Sequence, residues 1–190
     1  IITDYEDVKE LPKADLEQSK CEVDGKTAYK FTLQMPSYVA YITYGSNPKY
    51  REQLYKAYVS RAPQNAKLID ETLLLREKEA KLLGFDNYAS LSIAHKDAPS
   101  VQSVEDFLVQ IAQKAKQVAS KELTELREFA KNELLVKEKT AYETAYYSEK
   151  MKLKYYHIDE EKYMDYFKKN DVVDFVLRFL EESIYFSSSI

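Results

Sequence analysis

The stretch VQSVEDFLVQIAQKAKQVASKELTELREFAKNEL, residues 101–134, decides the fold class. Its apolar residues Val104, Phe107, Leu108, Ile111, Ala112, Ala115, Val118, Ala119, Leu123, Leu126, Phe129 and Ala130 recur every three or four positions. That spacing lays one stripe along a 3.6-residue helix. Neither Gly nor Pro interrupts it, so a single helix from Ser100 to about Leu134 is expected, about 50 Å long at ~1.5 Å per residue.

The same period continues on both sides. Downstream, Thr140-x-x-Glu143 is a capping box and starts a helix through Tyr146, Tyr147 and Met151. Asp159 caps a short helix, and Asn170 opens a last amphipathic one with Val172, Val173, Val176, Phe179, Leu180 and Ile184 on one face. Upstream, Leu68, Ile69, Leu73, Ala80 and Leu83 keep helical spacing up to Gly84, a C-cap from which Phe85 folds back. Asn65 is expected to cap that helix after the break at Pro63. Asn47-Pro48 reads as an N-cap followed by proline at the first helical position of a helix reaching about Arg61, and Ser37 as the cap of a short helix that Gly45 ends after Tyr44.

Before Pro36 the period changes. Tyr29, Phe31 and Leu33 alternate with Lys30, Thr32 and Gln34 after the turn signal Asp24-Gly25, which predicts one strand from Thr27 to Gln34. A lone strand is not stable, so it must pair with further chain, with a neighbouring molecule or with a short local hairpin arm. Thr3-x-x-Glu6 and Pro12 mark two short helices ahead of it. The expected architecture is all-α, mainly a helical lobe over 36–186 with one short strand or hairpin. Residues 1–35 form an N-terminal connecting segment and 187–190 a frayed tail. No internal repeat of fixed period occurs.

Composition narrows the function classes. The 190 residues suit one domain or a piece of a larger one. With 28 basic against 32 acidic residues, a net charge of −4 and both signs interspersed, the surface is not a nucleic-acid footprint. Cys21 is the only cysteine, which rules out an internal disulfide and suits a reducing compartment. No apolar run approaches the roughly 20 residues of a membrane span, and no signal peptide precedes the first helix. A soluble, cytoplasmic chain without membrane contact is expected. The start at Ile1-Ile2 without methionine, with only 3 Gly and 5 Pro, reads as a helical segment of something longer.

Several stretches carry a resemblance: FTLQMPSY at 31–38 followed by Ile42-Thr43-Tyr44, REQLYKAYVSRA at 51–62, AKLLGFDNYASLS at 80–92, ELTELREFA at 122–130 and AYYSEK at 145–150. In this order and spacing they are similar to the thimet oligopeptidase family of zinc metallopeptidases, on its bacterial oligopeptidase A branch. The resemblance implies helical lobes flanking a deep channel, cleavage of short peptides and metal-assisted hydrolysis. In that chemistry zinc acidifies a bound water, and the glutamate of an H-E-x-x-H helix takes its proton. None of that motif is present. The two histidines, His95 and His157, are followed by Lys96 and Ile158, so no catalytic residue and no zinc ligand carries over. The expected role is scaffold and channel wall of a zinc-dependent parent enzyme, inactive and zinc-free on its own.

Among the 17 tyrosines, Tyr146 and Tyr147 fall inside a family-like motif and are candidates for substrate contact through their phenols. The competing reading packs them at half-buried positions of an amphipathic helix. His95 decorates a helix end. His157 precedes Asp159-Glu160-Glu161, a carboxylate cluster suited either to a cation or to capping the next helix. An alternative to the peptidase reading is a non-catalytic helical module that binds peptides or proteins. Self-association is expected through the strand edge at Thr27–Gln34 and through Val176, Phe179 and Leu180.

Overall fold

The computed structural model describes residues 1–136 and 140–184. The expected tail at 187–190 lies outside the described residues, as do the side chains of Glu161 and Ile184.

At the N-terminus the first cap is Asp4, one residue beyond Thr3: its carboxylate accepts from the Glu6 N–H at 3.0 Å and starts a 3-10 turn over Tyr5–Asp7. Helix α1, Lys13–Ser19, follows Pro12. Next comes an antiparallel hairpin of β1, Lys20–Val23, and β2, Lys26–Tyr29, with Lys20 opposite Tyr29 and Val23 opposite Lys26. Its turn residues Asp24 and Gly25 have φ of 52° and 72°, and paired positive φ values give the twist that two-residue hairpins need.

The strand expected over Thr27–Gln34 is therefore corrected to a shorter one with a local partner. Beyond Tyr29, the Thr32 N–H is taken by Ser37 Oγ at 2.9 Å, and Phe31 turns inward until its ring centroid lies 4.6 Å from that of Tyr41. Ladder bonding cannot continue once the amide is spent on a side chain. Ser37 is thus occupied, and α2, Met35–Tyr44, begins after Gln34 instead. Ile2 lies on the other side of Tyr29, with both of its backbone bonds at 2.8 Å.

Helix α3, Pro48–Val59, has the expected start: Asn47 Oδ1 accepts from the Lys49 N–H at 3.0 Å and Pro48 fills the first position. It stops two residues short of Arg61. A first core gathers Ile2, Val8, Leu11, Tyr29, Ala40 and Tyr41, with Phe31, Tyr50 and Leu54 against it. Tyr41 is 1% exposed and donates to the Asp7 carbonyl at 3.2 Å.

Helix α4, Asn65–Leu82, ends as the sequence predicts. Gly84 has φ 83°, its N–H reaches the Lys81 carbonyl, and the Phe85 N–H reaches that of Ala80. Those are the paired bonds of a Schellman cap. Asn65 does not cap α4: it is the first helical residue, and no side-chain bond closes that end. After α5, Tyr88–Ile93, the long helix α6 runs unbroken over Val101–Glu133, closed at its start by reciprocal bonds between Ser100 and Ser103. Helix α7 spans Thr144–Tyr156, and α8, Lys169–Ile184, begins one residue before Asn170.

The apolar stripe of α6 is mostly uncovered. Only Leu126, Phe129 and Ala130 are buried, and Leu126 and Ala130 pack on Tyr147 of α7, whereas Phe107, Leu108, Ile111 and Val118 are exposed. Leu68, Ile69 and Leu73 of α4 and Val172, Val176 and Phe179 of α8 are exposed as well. A 3.6-residue period states which face is apolar, not that a partner covers it. Among the described residues no helix is long and apolar enough to cross a membrane.

Candidate functional site

Among the described residues, the most buried charge lies where α2 turns into α3. Arg51, in the first turns of α3, is 2% exposed. Its Nη1 donates to the carbonyls of Gly45 at 2.6 Å and Ser46 at 3.0 Å, and Nη2 lies 3.7 Å from Glu143 Oε1. The guanidinium stacks 4.1 Å above the ring centroid of Tyr146, while Nε is buried without a protein partner. Glu143 is 7% exposed, and its Oε2 accepts from the N–H of Thr140 at 3.2 Å and from Thr140 Oγ1 at 2.9 Å. The capping box read from the sequence thus holds the carboxylate that faces Arg51.

Tyr146 and Tyr147 belong to this cluster. Tyr146 donates to Glu10 Oε2 at 3.1 Å, where Lys150 Nζ also arrives at 2.8 Å. Burial, then the neighbouring Glu10 carboxylate, pushes its phenol up to about 12. Tyr147 is 3% exposed, and burial followed by the nearby Glu143 carboxylate raises its phenol as well. Both hydroxyls therefore stay protonated at neutral pH, and that of Tyr146 donates to the Glu10 carboxylate. The arrangement balances one guanidinium and one ammonium against two carboxylates across α3, α7 and the N-terminal segment. Chemically it is a polar clamp that fixes backbone turns, with each charge spoken for.

Arg51, Glu10 and Lys150 were not singled out in the sequence. Arg51 sits between Tyr50 and Leu54 on the packed face of α3, and that placement was the one available signal. The two histidines are not brought together. His95 is exposed just past α5, and His157 is the exposed left-handed residue that ends α7, with φ 54°. In the acidic run, Glu160 pairs with Lys152 at 3.0 Å and Asp159 lies 3.7 Å from Lys162, while Glu149 holds the other side of Lys152 at 2.8 Å. Cys21 is half-buried on β1. Among the described residues no three His, Cys, Asp or Glu side chains converge on a point that would hold a metal ion, so the donor set present does not fit a zinc centre.

The described residues thus pack helices around a short hairpin, with a buried polar clamp joining α3 to the start of α7. The sequence profile described as Peptidase family M3 matches residues 41–185, and the chain belongs to that family. It is similar to oligopeptidase A of Escherichia coli (strain K12), with 39% identity over 185 residues that cover 92% of this chain and 27% of that protein. Against the organellar oligopeptidase A, chloroplastic/mitochondrial, of Arabidopsis thaliana the identity is 32% over 189 residues, 92% of this chain and 24% of that one. Saccharolysin of Saccharomyces cerevisiae (strain ATCC 204508 / S288c) is 27% identical over 162 residues, which cover 82% and 23% of the two chains. The chain spans about a quarter of the length of these relatives.

Proposed function

We propose that this chain is a scaffold region of a zinc-dependent oligopeptidase, with 36–186 as a helical lobe that walls the channel admitting short peptides and 1–35 as the segment docked on it. The observation that carries the reading is the identity to oligopeptidase A over nearly the whole chain, set beside a donor set that holds no metal site among the described residues. Zinc, the catalytic base and bond cleavage belong to the complete enzyme, and the 190 residues alone are inactive. A cytoplasmic setting agrees with the relative named probable cytosolic oligopeptidase A. Tyr146 and Tyr147 serve the clamp in this reading, and the channel surface is carried by other residues.

The purified chain, supplied with zinc and a fluorogenic peptide, is expected to show neither stoichiometric metal by elemental analysis nor turnover above buffer. One zinc per chain together with chelator-sensitive cleavage would overturn the proposal.

Exposed apolar faces also bear on assembly. Phe175 and Phe179 stack on the surface of α8 with ring centroids 6.3 Å apart, and uncovered patches of this kind are commonly re-covered by self-contact. The strand edge is the weaker contact, because Ile2 already bonds to Tyr29. Light scattering is expected to give a mass that rises with concentration, and Phe179→Glu should lower it. A strictly monomeric chain at every concentration would refute the expectation.

A further inference from the structure

Burial is distributed very unevenly along this chain. Between Glu52 and Glu125, Ala80 is the only buried residue. Within that stretch α4 packs on α5 and α5 on α6, while α6 meets α7 only through its last turns. By contrast α2 packs along α7, and α3 packs on the 3-10 turn Ala141–Glu143. The chain leaves α3 through Ala62, a non-glycine residue at φ 51°, followed by Pro63, which has no N–H with which to prolong a helix.

We propose that the chain is divided into a discontinuous core, residues 1–59 with 126–136 and 140–156, and an arm, residues 66–120, that opens to solvent without disturbing the core. The Arg51–Glu143 contact is the lock of the core: it joins the turn after α2 to the start of α7 across the whole length of the arm. Glu10, held by Tyr146 and Lys150, adds the N-terminal segment to the same unit. The arm has no equivalent. Its helices are held by their own backbone bonds, by exposed one-turn pairs such as Lys81 with Glu77 at 3.8 Å, and between α4 and α5 by the Arg76 guanidinium 5.0 Å from the ring centroid of Tyr88, and helices with little tertiary burial are marginal in water. Local opening free energies follow buried contacts, so the two parts should exchange amide protons on separate scales. The inference rests on the packing alone and stands whether or not the chain serves an oligopeptidase.

Hydrogen exchange by peptide mass spectrometry on the full 190-residue chain tests it. Peptides from 66–82 and 102–120 are expected to exchange at least about ten-fold faster than those from 40–52 and 143–153. Arg51→Met should accelerate 40–52 and 143–153 together, by about ten-fold or more, and leave the arm peptides within about two-fold. The milder Tyr146→Phe, which removes only the bond to Glu10, should give the same pattern at smaller size if Arg51→Met does not fold. Uniform protection along the native chain would overturn the division. Acceleration confined to 40–52, or an arm that loses protection in step with the core in Tyr146→Phe, would overturn the role of the clamp.

Discussion

Arg51→Met is expected to lower the stability of this chain by about 3–5 kcal/mol, because removing one partner of a buried charge contact strands the other. The methionine fills the volume, so the loss reports polar chemistry rather than a cavity. Two carbonyls, those of Gly45 and Ser46, lose their donor, and the carboxylate of Glu143 loses the positive charge 3.7 Å away. Urea titration followed by circular dichroism measures the change. The mechanism has its own control in Glu143→Gln, which keeps an acceptor for Thr140 while removing the charge that Arg51→Met would leave buried. The double variant should be more stable than Arg51→Met alone. If the two losses simply add, the destabilisation does not come from a stranded charge.

The second large effect is expected at Gly45, where the reason for glycine is space. Its φ of −65° suits any residue, but a Cβ built there would lie 2.5 Å from the ring of Tyr41. That ring has no room to retreat, since it is buried, hydrogen-bonded to the Asp7 carbonyl and flanked by Phe31 and Tyr50. Gly45→Ala should therefore cost about 1–3 kcal/mol, the usual range for forcing extra volume into a packed interior. Thermal unfolding followed by near-ultraviolet circular dichroism of the packed tyrosines would register it, and an unchanged midpoint would mean that the ring can slide aside. Gly84→Ala makes a useful contrast, because that site is open and its cost would come from φ 83° alone.

The helices were legible where the sequence states a local rule. The long stripe without Gly or Pro, the Asn47-Pro48 start, the Gly84-Phe85 end and the Thr140-Glu143 box each specify geometry within a few residues, and each appears as expected. The hairpin was legible at its turn but not in its extent. Phe31 and Leu33 continue an alternation that looks like strand, yet Ser37 takes the amide of Thr32 from five residues away, and no pattern of polarity records that. Strand β1 was missed because Lys20-Cys21-Glu22-Val23 is too short and too polar to stand out. The clamp was the least legible part. Arg51 and Glu143 are ordinary charged residues in helical sequence, and their burial follows from the meeting of two segments that are remote along the chain. Tyr146 and Tyr147 drew attention for their motif, and the reason for their position appeared only with the partners on α3 and at Glu10.

The Arg51–Glu143 contact also constrains how such a chain can drift over generations. Either charge alone is a liability in the interior, so a neutral change at position 51 becomes tolerable only after, or together with, a neutral change at position 143. The intermediate is the least fit state, and the pair behaves as a single inherited character written at two distant places in the gene.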